Sequence, residues 1–251
     1  MEKLVVSVWV LAFGLVIGSF LNVCIYRLPR GEEIVKEPSH CPKCMSALIW
    51  YELIPVLSFL LQKGRCRNCK EKISFQYPIV ELLNGTLYLW IVMKAGYQPF
   101  SILYCLCTSA LIVIAVIDFR TFEIPLGCNL FIGALGVAHL FMNLSAWQEY
   151  VAGFFAVSGL FMVIYLVTRG KGIGGGDIKL MAAAGLLLGW KHIILALALG
   201  SVAGSVIHIA LMKLKNKNRV LAFGPYLAVG IFISMLYGDE LIEWYLRFCG
   251  L

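Results

Sequence analysis

The sequence predicts an all-α polytopic membrane protein, with about eight transmembrane helices and one small polar insert that resembles a zinc ribbon. Of its 251 residues, 61% are hydrophobic and 14% are charged, and the mean hydropathy is +0.86. A soluble domain has about 45–50% apolar and about 25% charged residues, so most of this chain belongs in lipid. A transmembrane helix needs about 20 apolar residues, which leaves room for about eight spans and the insert.

Eight apolar runs, separated by polar loops, support this fold class. They cover residues 4–26, 79–94, 100–117, 125–143, 148–168, 178–190, 192–212 and 222–238. The first run is long for a signal peptide and lacks a small-residue cleavage site before Tyr26 and Arg27, so we expect a retained helix. The chain thus divides into residues 1–26, the first transmembrane helix, residues 27–78, a polar insert, and residues 79–251, the membrane core.

The 21 basic residues are distributed unevenly between the two sides that eight spans define, with 17 on one side and four on the other. They are Arg27, Arg30, Lys36, Lys43, Lys63, Arg65, Arg67, Lys70, Lys72, Arg120, Arg169, Lys171, Lys179, Lys213, Lys215, Lys217 and Arg219 on one side, and Lys3, Lys94, Lys191 and Arg247 on the other. Loops rich in lysine and arginine stay in the cytoplasm, so we expect a cytoplasmic insert and both termini outside. The net charge of +7 is therefore a topology signal, and we expect no nucleic-acid partner.

The polar insert contains two CxxC pairs, Cys41 with Cys44 and Cys66 with Cys69, and 21 residues separate the pairs. Two such pairs complete a tetrahedral four-sulfur shell, which is the usual structural zinc site. The alternative is two disulfides, which the reducing cytoplasm disfavours. A closed shell leaves no position for water, so we expect the metal to stabilise the insert rather than to catalyse.

Two carboxylates lie at predicted membrane depth. Asp118 ends the third apolar run, and Asp177 follows a glycine triplet and opens the sixth run. An ionisable group at this depth is costly and is a functional candidate by default. The topology places both at cytoplasmic ends of helices, although they are 59 positions apart in the sequence. Two neighbouring carboxyl groups, one protonated and one ionised, are what aspartyl peptide hydrolysis requires.

Each aspartate also has a simpler interpretation. Asp177 is suited to an N-cap after a glycine turn, and Asp118 to an interfacial ion pair with Arg120. If both are catalytic, the helix poles separate their roles. The C-terminal pole near Asp118 favours its protonated form, and the N-terminal pole near Asp177 favours its ionised form.

Three neighbours of Asp177 are candidate supporting residues of the active site. Gly174 and Gly176 permit the backbone to approach a substrate strand, or form a tight turn. Lys179 is suited either to stabilise a nearby carboxylate or to extend to the membrane interface.

A series of short motifs follows in order along nearly the whole chain. They are Gly18-Ser19-Phe20-Leu21-Asn22-Val23, Arg27-Leu28-Pro29, Pro38-Ser39-His40-Cys41-Pro42-Lys43-Cys44, Ile54-Pro55-Val56-Leu57-Ser58, Gly64-Arg65-Cys66, Tyr77-Pro78-Ile79-Val80-Glu81-Leu82-Leu83, Asp118 with Ile124-Pro125, Gly172-Ile173-Gly174-Gly175-Gly176-Asp177-Ile178-Lys179, and Phe223-Gly224-Pro225-Tyr226. This ordered set resembles the bacterial type IV prepilin peptidases, which are membrane aspartyl proteases of the GxGD kind.

The resemblance implies two activities at the bacterial inner membrane. Such enzymes cut the basic leader from prepilins and pseudopilins after a glycine, and those with the cysteine insert methylate the new N-terminal amine with S-adenosylmethionine. It implies that Asp118 and Asp177 are the protease pair and that the four cysteines of the insert bind zinc. The partners are then a prepilin or pseudopilin and the lipid bilayer, and the oligomeric state is left undetermined.

The chain departs from the family pattern in a few places. Many relatives carry glycine after each CxxC pair, where this chain has Met45 and Lys70, and Leu126 follows Ile124-Pro125 where an acidic or amide residue is common. No glycine-rich nucleotide fingerprint is present. Glu81 is a candidate ligand of the methyl donor, or it pairs with a basic neighbour. A peptidase without methyl transfer, and an ion-coupled transporter with a zinc ribbon, are the alternative functions.

Overall fold

The computed structural model describes residues 2–215 and 222–250, and over these residues the fold is helical, with no strand. The α-helices are α1 (Glu2–Arg27), α2 (Leu57–Leu61), α3 (Gln76–Ala95), α4 (Pro99–Thr121), α5 (Leu126–Met142), α6 (Trp147–Val167), α7 (Gly175–Leu188), α8 (Trp190–Lys215) and α9 (Gly224–Phe248). Single 3₁₀ turns cover Leu28–Arg30, Trp50–Leu53 and Leu144–Ala146. Lys217 and Arg219, which the topology assigned to the cytoplasmic side, lie outside the described residues.

Each of the eight predicted apolar runs coincides with one helix, so the all-α membrane fold class is confirmed. Within the described residues, five helical segments are long and apolar enough to cross a membrane. These are Leu4–Arg30, Pro99–Thr121, Leu144–Val167, Trp190–Ala210 and Gly224–Phe248. The number of eight spans stays a prediction.

The last helix is longer than its apolar run. The run was predicted to end at residue 238, whereas α9 continues to Phe248. Apolar composition alone misses this extension because four of its residues, Asp239, Glu240, Glu243 and Arg247, are charged. Arg247 donates to Glu243 one turn earlier at 3.2 Å, a spacing that supports a solvated helix end.

The chain forms two compact units, Met1–Val113 and Ile114–Leu251, and the boundary falls within α4. In the first unit, α1 and α3 pack closely along glycines. A Cβ atom on Gly14 would lie 2.8 Å from Gly85 Cα, and one on Gly18 would lie 2.7 Å from Glu81 Cα. The Asn84 side chain donates to the Gly14 carbonyl at 2.7 Å. Small residues and interhelical hydrogen bonds of this kind are how helices associate in lipid.

In the second unit, close contacts at glycines likewise join two pairs of helices. Gly153 of α6 meets Gly185 of α7, and Gly230 of α9 meets the backbone of α8 at Ala196. The side chains between the helices, such as Leu180 and Ile231, are fully buried. This tight packing positions α7 and α9, whose first turns, together with the last turn of α4, carry the residues described next.

Candidate active site and metal centre

Asp118 lies inside the last turn of α4, rather than after the helix as its position at the end of the apolar run predicted. The helix continues to Thr121, and the Phe122 N–H, at φ +56°, closes it on the Asp118 carbonyl at 2.9 Å. The Asp118 side chain is buried, and its Oδ2 accepts a hydrogen bond from the Gly224 N–H at 2.8 Å. A Cβ atom at Gly224 would lie 2.7 Å from that oxygen, so only glycine fits here.

Asp177 is the third residue of α7, and Gly174 occupies the N-cap position in an extended conformation. The N-cap interpretation of Asp177 is therefore wrong in position. Its carboxylate nevertheless accepts a hydrogen bond from the Gly174 backbone N–H and so satisfies a donor at the helix start. Gly176 is required for packing, since a Cβ atom there would lie 2.9 Å from Ile124 Cβ.

The two carboxyl groups interact. Asp177 is outside the five candidate spans, and burial together with the charge of Asp118 raises its pKa to about 6, while the Gly174 N–H acts in the opposite direction. The fold therefore brings together two aspartates that are 59 residues apart. The Asp118 carboxylate accepts a hydrogen bond from the Gly224 backbone N–H. The side chain of Lys179, a candidate supporting residue of the active site, is exposed.

Sequence patterns did not identify one buried neighbour of the site, Asn129 in the first turn of α5. Its Nδ2 donates to the Gly176 carbonyl, at 3.4 Å, directly before Asp177. Its Oδ1 is buried and has no hydrogen-bond partner among the described residues. The only available signal was its position four residues after Pro125, which is too weak to identify a functional asparagine.

The four cysteines of the insert converge on one point. The sulfur atoms of Cys41, Cys44, Cys66 and Cys69 lie within 4.8 Å of one another, and none of the four forms a disulfide. The Cys41–Cys69 and Cys44–Cys66 sulfur pairs are 3.9 Å apart. A tetrahedral zinc ion with bonds of about 2.3 Å needs sulfurs about 3.8 Å apart, so the cluster fits such an ion. Hydrogen bonds from Ser46 lower the pKa of the exposed Cys44 thiol to about 6, which favours the thiolate that a metal requires.

Both cysteine knuckles have the same backbone geometry. Cys41 and Cys66 each donate an N–H to the carbonyl five residues ahead, and each accepts the N–H of the residue four ahead. These last residues are Met45, at φ +57°, and Lys70, at φ +58°. Glycine is suited to these two positions because it adopts the left-handed conformation without strain. In this chain Met45 and Lys70 adopt that conformation although they carry side chains.

Glu81 is buried in the second turn of α3, and its carboxylate accepts a hydrogen bond from the backbone of the insert. Glu81 Oε2 accepts the Val56 N–H at 2.7 Å, and the Ser19 hydroxyl is a second partner. Val56 is β-branched and has φ +60°, an unfavourable conformation that this hydrogen bond stabilises. The hydrogen-bond partners of the Glu81 carboxylate are thus a backbone amide and a hydroxyl. A role for Glu81 toward a methyl donor stays a prediction.

Comparison with known families and proteins identifies what the chain is similar to. Residues 12–95 match the bacterial peptidase A24 N-terminal domain, and residues 105–209 match the type IV leader peptidase family. No solved structure matches.

Three curated relatives, each named prepilin leader peptidase/N-methyltransferase, cover nearly the whole chain. The protein from Aeromonas hydrophila is 35% identical over 268 residues, which is 94% of this chain and 92% of that protein. The one from Bacillus subtilis (strain 168) is 35% identical over 238 residues, covering 94% and 96%. The one from Pseudomonas aeruginosa is 31% identical over 267 residues, covering 94% and 92%.

Proposed function

This chain belongs to the type IV leader peptidase family, and from that premise we propose how it acts. It is a bifunctional membrane enzyme that removes the leader peptide of prepilins or pseudopilins and methylates the new N-terminus. Asp118 and Asp177 are its catalytic pair. The observation that carries this assignment is the electrostatic coupling of Asp177 to Asp118, whose carboxylate the Gly224 N–H holds in place.

The two carboxyl groups have different roles. Asp177, whose pKa is about 6, is ionised at neutral pH and lies in the first turn of a helix, where N–H groups favour a negative charge. Asp118, in the last turn of α4, is the protonated partner. Since its Oδ2 accepts the Gly224 N–H, its proton is on Oδ1, which is the oxygen that can donate to a substrate.

Hydrolysis then takes two steps. Asp177 accepts a proton from a water molecule, the water oxygen adds to the carbonyl carbon of the scissile bond, and Asp118 donates its proton to the carbonyl oxygen. In the second step Asp118 takes back a proton from one hydroxyl of the intermediate, the C–N bond breaks, and Asp177 gives its proton to the leaving amine. Both aspartates return to their starting states.

The four cysteines of the insert hold a structural zinc ion. The sulfur separations of 3.9 Å and the absence of disulfides among these cysteines support this proposal. A four-sulfur shell takes no substrate, so the metal stabilises residues 27–78 and performs no chemistry. The insert and the aspartates face the cytoplasm, as the distribution of basic residues indicates, and the membrane is the bacterial inner membrane.

The names of the relatives imply a methyl donor, for which S-adenosylmethionine is the candidate. Glu81 is proposed as one of its ligands, although its carboxylate already binds Val56 and Ser19. Equilibrium binding of labelled S-adenosylmethionine to a Glu81→Gln variant tests this ligand. Unchanged affinity would rule out Glu81.

Leader cleavage by Asp118→Asn and Asp177→Asn variants in nanodiscs tests the catalytic pair. We expect kcat for cleavage of a prepilin to fall by about 10²- to 10⁴-fold in each variant, because acid–base catalysis contributes that much. Asp239→Asn, in which an exposed carboxylate of α9 is changed in the same way, is the matched control and retains activity. Full cleavage by either active-site variant would refute the aspartyl mechanism.

A further inference from the structure

Part of the insert presents an apolar surface that no other described residue covers. Residues 50–61, which we call the apolar segment, consist of the 3₁₀ turn Trp50–Leu53, a break at Val56 and helix α2. Trp50 is 77% exposed and Leu61 is 80% exposed. The other large exposed side chains of the segment are Tyr51, Leu53, Ile54, Leu57 and Leu60.

The exposed side chains of α2 lie on one face of that helix. Leu57, Leu60 and Leu61 are spaced by three and four residues, which places them on the same side of α2. Phe59, between them, points the other way and packs against Phe75, with ring centroids 5.3 Å apart. Helix α2 is therefore anchored to the insert on one side and leaves its leucines outward.

The segment lies at the depth of the membrane. Helix α1 has 26 residues and is about 39 Å long, close to the full thickness of a bilayer with its headgroups. Ser19, which binds the Glu81 carboxylate, is eight residues before the end of α1 at Arg27, or about 12 Å below that end. The Val56 N–H is 2.7 Å from the same carboxylate. The break between the two short helices is thus level with the lipid-exposed part of α1.

Charge around the segment also matches a lipid surface. Residues 62–75 contain five basic residues and one acidic residue, whereas residues 28–48, in the first half of the insert, contain three of each. All five of the former basic residues are exposed. Arg67 lies over the Tyr51 ring, 5.7 Å from its centroid, which links the basic stretch to the apolar segment. Anionic headgroups attract such stretches, and tryptophan is enriched at the membrane interface.

We propose that the apolar segment is a membrane anchor of the insert. Trp50 and the outward leucines of α2 enter the acyl chains of the leaflet next to α1, and the basic residues after α2 bind anionic lipid headgroups. Glu81 fixes the depth by holding the Val56 N–H. The anchor keeps the cysteine cluster at the membrane surface, independently of the chemistry that either activity uses.

Photo-cross-linking to lipid tests the anchor. The full chain carries benzoylphenylalanine in place of Trp50, Leu60 or Leu61 and is reconstituted in nanodiscs of labelled phosphatidylethanolamine and phosphatidylglycerol. Phe13, on the lipid-exposed face of α1, is the positive control position. Val35, which is 84% exposed in the first half of the insert, is the negative control position. Retained metal and leader cleavage verify that each variant is folded.

We expect lipid adducts at positions 50, 60 and 61 at a yield near that of position 13 and about tenfold or more above that of position 35. The yield should rise with the fraction of phosphatidylglycerol. Dibrominated lipid should also quench the fluorescence of the unmodified chain more than that of a Trp50→Phe variant. Adduct yields equal to that of position 35 would overturn the proposal. Adducts to a second copy of the chain, or to an added prepilin, in place of lipid would also overturn it.

Discussion

The cysteine cluster and the aspartate pair are both sites of few residues, but they are built in opposite ways. The cluster takes its ligands from two knuckles, and each knuckle is closed by hydrogen bonds between residues four or five apart. The pair takes one carboxylate from the end of α4, one from the start of α7 and a backbone donor from the start of α9, 106 residues beyond Asp118. The first site is local in sequence and the second depends on the packing of three helices.

This difference separates stability from chemistry. A metal held by cysteines contributes folding free energy to a segment that has little apolar core of its own. The pair of a buried Asp118 and a half-buried Asp177 contributes none, because burial and mutual repulsion disfavour the charge of its carboxyl groups. Changes at the cluster should therefore affect the insert first, and changes at the pair should affect catalysis first.

The largest effect is expected when one metal ligand is removed. Cys44→Ser should weaken zinc binding by more than about 100-fold, since changing a partner of a ligand alone costs about 10- to 100-fold. Metal content and the rate of proteolysis within residues 27–78 measure this effect. Cys249→Ser, at an exposed cysteine outside the cluster, is the matched control. If Asp177→Asn increased proteolysis of the insert as much as Cys44→Ser does, the cluster and the pair would not have separate roles in stability and catalysis.

The next effect concerns the backbone donor of the pair. Gly224→Ala would place a Cβ atom 2.7 Å from Asp118 Oδ2 and displace the carboxylate. We expect kcat/KM for leader cleavage to fall by about 100-fold, since a misplacement of about 1 Å has effects of that size. Gly159→Ala, on α6 with open space around its Cβ position, should leave cleavage unchanged. Metal content should be normal in both variants, and a loss of metal in Gly224→Ala would contradict this prediction.

The pH profile of cleavage tests the pair without a substitution. A raised pKa means that Asp177 loses its ionised form, which is the proposed catalytic base, as pH falls through about 6. We expect kcat/KM to decline below pH 6 by about tenfold per pH unit, whereas an ordinary aspartate would remain ionised to about pH 4. The two carboxyl groups titrate as a unit, so the midpoint belongs to the pair. Constant activity down to pH 5 would contradict the raised pKa.

The smallest effect is expected at the two left-handed residues of the cluster. Met45→Gly and Lys70→Gly should each stabilise the insert by about 0.5 kcal/mol. Release of a left-handed side chain gains about 1–2 kcal/mol, and the greater freedom of glycine in the unfolded chain offsets about 0.4–1 kcal/mol. Slower zinc release to a chelator measures the gain. Met45→Ala and Lys70→Ala keep a Cβ atom and should show no gain.

The sequence by itself predicted much of this protein. Within residues 2–215 and 222–250, the apolar runs predicted every α-helix except α2. They missed α2 because an apolar helix of five residues inside a polar insert has no periodic signal. The CxxC spacing predicted the four-sulfur cluster, since ligands two residues apart share one knuckle whatever the rest of the fold does. The motif order predicted the family. Met45 and Lys70, which follow the two CxxC pairs, have the left-handed conformation that suits glycine.

The tertiary structure alone decided the partners of the distant residues. Local spacing carries no information about the Gly224 N–H on Asp118, the Asn129 amide on Gly176 or the Val56 N–H on Glu81. Each of these contacts joins segments that helix packing brings together, and packing depends on the fit of many small residues rather than on a motif. The sequence therefore determined which residues carry carboxylates and thiols suited to catalysis or metal binding. Only the folded chain decided what surrounds those residues. Through burial and the charge of Asp118, it also decided how strongly Asp177 holds its proton.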